Sequence, residues 1–203
     1  MTAITRRAVF GAAFAAGLAL GAPAALAEAE IGDDGLHKAA WMHETFKDLR
    51  EDFADAEAEG KRLLLLVEQR GCIYCREMHE KTFPDPRVEQ MLTDDYFVVQ
   101  INLHGDIEIT DTDGEALPEK AATQKWRVLF TPTMIFLPAE LDESQSVGEQ
   151  AVAVMPGSFS PGTTFDLLTW VKEERYKRID ETGEDFQRYH ARMIRERNDG
   201  DTR

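Results

Sequence analysis

The chain has 203 residues, of which 43% are hydrophobic and 9% aromatic, enough for one or two domains with a substantial core and incompatible with collagen, coiled coil or wholesale disorder. Its 23 Lys and Arg against 38 Asp and Glu give a net charge of −15, which repels phosphate backbones and excludes nucleic acid as an expected partner. The only cysteines, Cys72 and Cys75, are too few for a disulfide scaffold and too close to staple distant parts of a fold, so whatever they do they do as a local pair.

Residues 1–27 run basic, apolar, then small: Arg6-Arg7, the stretch Ala8 to Ala22, and Ala25-Leu26-Ala27 before Glu28. This order predicts a cleaved secretory signal rather than a membrane anchor, because the apolar stretch is rich in Ala and Gly and only weakly hydrophobic. The expected compartment is a bacterial periplasm. Thr5-Arg6-Arg7-Ala8-Val9-Phe10 resembles a twin-arginine signal without its later Lys, leaving the twin-arginine and general secretory routes both open. Residues 28–35 are polar and acidic and predict a mobile leader.

Met42, Phe46, Leu49 and Phe53 recur at steps of four, three and four, predicting an amphipathic helix over residues 37–58 that ends at Gly60. Leu63-Leu64-Leu65-Leu66-Val67 is an apolar run too short for a separate helix and reads as a strand buried on both faces, so a parallel or mixed central sheet is expected. A helix over residues 73–82 follows, interrupted near Pro84-Asp85-Pro86, with a short helix starting around Val88, Met91 and Leu92 and a second buried strand from Tyr96 to Leu103. Residues 104–118 are acidic and carry no helical stripe, predicting a surface insertion. Asp111, Asp113 and Glu115 alternate there, but a calcium loop lacks its closing bidentate Glu.

A helix over residues 118–126, a strand over 134–137, a polar turn, a strand over 151–155 and a helix through Phe165, Leu168 and Val171 complete the body. In the tail, Phe186, Tyr189, Met193 and Ile194 line one side of a last helix, which either packs on the domain or the N-terminal helix or binds a partner. The expected organisation is a signal over 1–27, a leader and N-terminal helix over 28–59, a domain over 60–178 and a helical extension over 179–203.

The chemistry lies in Cys72-Ile73-Tyr74-Cys75. A strand, a short Arg70-Gly71 turn and Cys-x-x-Cys opening a helix put the first sulfur where free amide hydrogens and the macrodipole favour an anion. Two intervening residues bring the sulfurs within disulfide reach, so Cys72 can attack a substrate disulfide and Cys75 can release the mixed disulfide. Arg70 and Arg76 favour the thiolate and Glu68 and Glu77 oppose it. Zinc on this pair would have to recruit His79 and His104, and copper would use Met78; neither is preferred, His79 reads as a solvated or packing residue, and no metal or other cofactor is expected.

Arg70-Gly71-Cys72-Ile73-Tyr74-Cys75 followed by Phe130-Thr131-Pro132-Thr133 resembles the thioredoxin superfamily. The resemblance implies an α/β thioredoxin fold, with a central mixed four- to five-stranded sheet flanked by helices and extra N- and C-terminal helices. It implies a cis bond at Thr131-Pro132 lying against the cysteines, catalysis by Cys72 and Cys75, and substrate contacts from Ile73, Tyr74, Thr131 and Pro132. A cis X-Pro bond at a strand start would present the preceding backbone to an incoming peptide.

Cys-x-Tyr-Cys-x-x-Met, Phe83-Pro84-Asp85-Pro86-Arg87-Val88, Val98 to Asn102, Gly105-Asp106 and the segment from Thr110 to Leu117 are similar to SoxW/SoxS-type periplasmic thioredoxins of bacterial sulfur oxidation. That likeness covers residues 60–172. It implies a thiol-disulfide oxidoreductase acting as a reductant, fed by a DsbD/CcdA-type membrane donor and serving periplasmic clients with disulfides or reactive cysteines. The chain departs from the superfamily at Gly71, where a Trp is usual, and at Leu66, where a buried Asp assists the resolving cysteine. Glu68, two residues on and on the same strand face, is the candidate proton relay, the alternative being an exposed strand-end carboxylate. The rival functions are a Dsb-like oxidant or isomerase, and a non-catalytic binding protein that uses the cysteines as a redox sensor.

Overall fold

The computed structural model describes residues 30–201, so the expected signal and its cleavage site lie outside the described residues. At the centre are β3 (Met42–His43), β4 (Arg62–Glu68), β5 (Tyr96–Asn102), β8 (Thr133–Phe136) and β9 (Ala153–Pro156), in the spatial order β3-β5-β4-β8-β9. β3, β5 and β4 run parallel, while β8 and β9 are antiparallel to their neighbours, which makes the sheet mixed as expected.

The leucine run is buried on both faces because the pleat sends alternate side chains into two separate cores. Leu64 and Leu66 join Val98, Met134 and Phe136 on one face, under Val88, Leu92 and Leu168. Leu63, Leu65 and Val67 join Phe97, Val99 and Ile135 on the other, under Leu49, Phe53 and Ala122. The covering helices are α1 (Leu49–Ala58), α2 (Ile73–Glu77), α3 (Pro86–Asp94), α4 (Glu119–Lys125) and α6 (Pro161–Lys172).

Three expectations are corrected. The N-terminal helix does not start at residue 37 but at Leu49, where the Asp48 carboxylate accepts the amides of Arg50 (3.1 Å) and Glu51 (3.3 Å) as N-cap. Met42 and His43 instead pair with Val98 and Val99 as a parallel edge strand, and Phe46 is 98% exposed between the two elements. The described part of the leader folds too: β1 (Glu30–Ile31) and β2 (His37–Lys38) form a hairpin whose turn needs the left-handed Gly35 (φ 78°) and buries Leu36.

The acidic stretch is only partly at the surface. β6 (Glu108–Thr110) and β7 (Ala116–Pro118) pair as a hairpin, with Ile109, Asp111 and Thr112 fully buried. Asp111, Asp113 and Glu115 converge on the Lys125 ammonium at 2.9, 2.6 and 2.9 Å, so the cation these alternating acids surround belongs to the chain. The polar turn before β9 holds a short helix, α5 (Val147–Gln150), closed by a Ser146/Glu149 capping box.

In the tail, α7 (Ile179–Thr182) leads to α8 (Phe186–Asp201), whose Phe186, Tyr189 and Met193 pack on the domain core, with Tyr189 buried and Ile194 left exposed. The buried Asp166 of α6 anchors it through a bidentate pair with Arg197 (2.7 and 2.9 Å) and a hydrogen bond to His190. The apolar stripe is therefore taken up by its own domain, not by α1.

Asp52 carries a pH prediction. Burial in α1 pushes its pKa up to about 7 against the lowering effect of the Thr45 hydroxyl at 3.1 Å, and the neighbouring carboxylates of Asp48, Asp55 and Glu51 push in the same direction as burial. The folded chain then holds a proton that the unfolded chain releases near the ordinary Asp value. Stability should accordingly fall as pH rises from about 4 to about 7, and flatten above that. Asp52→Asn should remove this decline and exceed the wild type at about pH 8 by roughly 2 kcal/mol, with little difference at about pH 4, as read from urea melts.

Candidate functional site

The Cys-x-x-Cys pair sits where β4 hands over to α2. Gly71 takes the left-handed backbone (φ 72°) that turns the chain, and Cys72 is the N-cap of α2, its Sγ accepting the Cys75 amide at 3.0 Å. The two cysteines form a disulfide with Cα atoms 5.2 Å apart. Cys72 keeps 7% of its surface exposed and Cys75 none, so an incoming sulfur can reach only the first.

The segment before β8 closes over this sulfur from the other side. The Thr131-Pro132 peptide is cis, the Thr131 hydroxyl donates to Cys72 Sγ at 3.3 Å, and the Thr131 carbonyl oxygen lies 3.5 Å from the same atom. Two bonds hold the segment: Thr133 Oγ1 donates to the Phe130 carbonyl (2.7 Å) and the Gly157 amide to the Pro132 carbonyl (2.7 Å). Ile73, Tyr74, Leu129 and Phe130 project around the disulfide with more than half of each surface exposed. Beside them a groove of about 590 Å³ runs between Tyr74, Phe130, Thr131, Gly157 and Phe159. Ile73, Tyr74 and Thr131 thus share the surface around Cys72, while Pro132 is buried behind it.

The flanking arginines are engaged elsewhere: Arg70 Nη2 donates to the Asp34 carbonyl at 3.2 Å, and Arg76 pairs with Glu80 at 3.7 Å. Glu68 is not an exposed strand end but 0% exposed, while Leu66 lies in the hydrophobic core. One Glu68 oxygen accepts Gln100 Nε2 at 2.6 Å and the other lies 3.1 Å from His79 Nε2. His79 is buried, and its ring stacks on His37 (4.9 Å between centroids) and meets the edge of Phe83. His104 is exposed, and among the described residues the set Cys72, Cys75, His79 and His104 is not assembled.

Sequence reasoning missed the connection of His79 and His37 to Glu68. Its one local signal was the spacing of His79 from Cys75, one helical turn on the same face. A π-helical turn, Met78–Thr82, carries His79, and such turns concentrate at functional sites.

The thioredoxin-like domain family matches residues 49–148. No curated protein sequence matches the chain. Among solved structures, a thioredoxin-fold protein from Helicobacter pylori is similar at TM-score 0.51 and 14% identity, over 74% of this chain and 98% of that one. A thioredoxin from Thermus thermophilus (TM-score 0.47, 22% identity) covers 61% of this chain and 83% of its own. The reduced C-terminal domain of Neisseria meningitidis DsbD (TM-score 0.43, 15% identity) covers 63% and 99%. The chain has the α/β thioredoxin fold expected of it, with a five-stranded mixed sheet and added terminal helices.

Proposed function

We propose that this protein is a periplasmic thiol-disulfide oxidoreductase that reduces disulfides of client proteins. The observation that carries the reading is the unequal placement of the two sulfurs, Cys72 at a helix N-terminus beside Thr131 and Cys75 fully buried beneath it. In the reduced form the Cys72 thiolate attacks a client disulfide, forming one mixed S–S bond and expelling one client thiolate. The Cys75 thiolate then attacks Cys72 Sγ, the mixed bond breaks, and the second client sulfur leaves. Two electrons pass to the client, whose two thiolates take up two protons, and the protein ends as the Cys72-Cys75 disulfide.

Thr131, held in place by its cis bond to the buried Pro132, forms the docking platform, and Ile73 and Tyr74 supply apolar contacts to the client. Glu68 accepts the Cys75 proton as a relay, replacing the acid that Leu66 displaces. A DsbD/CcdA-type membrane protein re-reduces the disulfide, and the sequence likeness to SoxW/SoxS-type thioredoxins supports a client in bacterial sulfur oxidation.

The test is the reduction potential of the Cys72-Cys75 couple, measured by equilibration in graded glutathione buffers and counting of free thiols with an alkylating mass tag. The expected value is roughly −250 mV or lower, as in thioredoxin. A value of about −120 to −180 mV would replace the reductant by a Dsb-like oxidant or isomerase.

A further inference from the structure

The redox cycle has no use for a second imidazole beside Glu68, yet the fold brings one there. His37 comes from β2, Glu68 from the end of β4 and His79 from the π-helical turn, three separate elements, and all three side chains are buried. One ligand atom from each, a ring nitrogen or a carboxylate oxygen, lies within 4.8 Å of the other two. We propose that His37, Glu68 and His79 bind one zinc-class divalent cation, with water in the fourth position.

Two imidazoles and one carboxylate with an open position are a donor set that zinc takes in proteins. The 3.1 Å between His79 Nε2 and Glu68 Oε1 is already close to the edge of a tetrahedron with metal bonds of about 2.0 Å, which is about 3.3 Å. An ion pair between Glu68 and His79 would explain those two residues alone. It leaves the His37 ring, stacked on His79 beside the same carboxylate, without a role. A tilt of that ring toward Glu68 completes the triad.

Gln100 supplies the outer support that such sites require. Its Nε2 donates both to Glu68 Oε2 (2.6 Å) and to the His37 carbonyl (2.7 Å), and its Oε1 accepts Lys38 Nζ (2.9 Å). One amide thus fixes the carboxylate with Oε1 turned to the imidazoles and holds the backbone that carries His37. The donors exclude Cys72 and Cys75, so the site is available while the disulfide is closed. Occupancy and the relay role proposed for Glu68 exclude one another at any moment, but the site itself rests only on the geometry of the three side chains.

The test uses oxidised wild-type protein, in which no thiolate can ligate. Titration with Zn²⁺ by calorimetry should give one site per chain, and Co²⁺ should give weak visible d–d bands without a sulfur charge-transfer band. His37→Gln should weaken binding by about 100-fold, and so should His79→Gln. Heteronuclear NMR of the wild type provides a measurement independent of any variant: the ring nitrogens of His37 and His79 should shift on Zn²⁺ addition. Weak multi-site binding that is the same in His37→Gln would assign the ion to the acidic surface and overturn the proposal, as would unmoved ring nitrogens at saturation.

Discussion

Cys72→Ser should bring client-disulfide reduction down to the uncatalysed background, while Cys75→Ser should leave the protein covalently attached to its client. The asymmetry follows from exposure: only Cys72 Sγ is reachable from outside, and Cys75 is sealed beneath it. Serine at 72 removes the one sulfur that can form the mixed disulfide, and a hydroxyl is no substitute nucleophile at neutral pH. Serine at 75 leaves the attack intact but removes the thiolate that resolves it. Non-reducing electrophoresis after mixing with a disulfide client should show a reducible adduct with Cys75→Ser and none with Cys72→Ser. Equal adducts from both variants would mean that either sulfur can attack, and the order of events proposed above would fail. A binding protein with sensor cysteines would retain its client non-covalently in the double serine variant, which co-elution on a sizing column shows.

What could be read from the sequence was what is local. The runs Leu63 to Val67 and Tyr96 to Leu103 announce strands because both sheet faces are covered, and the unbroken apolar run of the first is too short for a separate helix. Cys-x-x-Cys and Thr-Pro were legible because their chemistry depends on spacing and on one backbone bond. The start of α1 was misjudged because Met42 and Phe46 fall on the helical period by coincidence, whereas the physical start is the Asp48 cap followed by Glu51 and Asp52 in the first turn.

Polar residues that meet partners from elsewhere in the chain were out of reach. Glu68 could be placed on the right face of its strand, but its burial depends on Gln100 and His79, which lie 32 and 11 residues away in sequence. The stretch 104–118 looked like surface because acidic residues usually are. Asp111 is inside because five donors from three segments meet it there.

That convergence makes Asp111→Ala the substitution with the largest expected effect on stability. Asp111 Oδ1 accepts the amides of Thr112 (2.7 Å) and Val147 (3.0 Å), and Oδ2 accepts Trp126 Nε1 (2.9 Å) and pairs with Lys125 Nζ (2.9 Å). Its side chain ties the β6–β7 hairpin to α4 and α5 in one place. Alanine leaves two backbone amides and an indole N–H without their acceptor in a dry interior and takes one of three carboxylates from Lys125. Burial opposes the Lys125 charge, but its hydrogen bonds to Asp113, Glu115 and Asp111 hold its pKa above the ordinary lysine range, so the ammonium itself persists on the two remaining acids. The expected loss is about 3–5 kcal/mol, measured as a shift of the urea midpoint at constant slope. Asp113→Ala, which removes a partly exposed partner of the same lysine, should cost no more than about 1 kcal/mol. Comparable losses from the two variants would mean that the lysine pairs, not the buried carboxylate and its N–H donors, hold the hairpin to the domain.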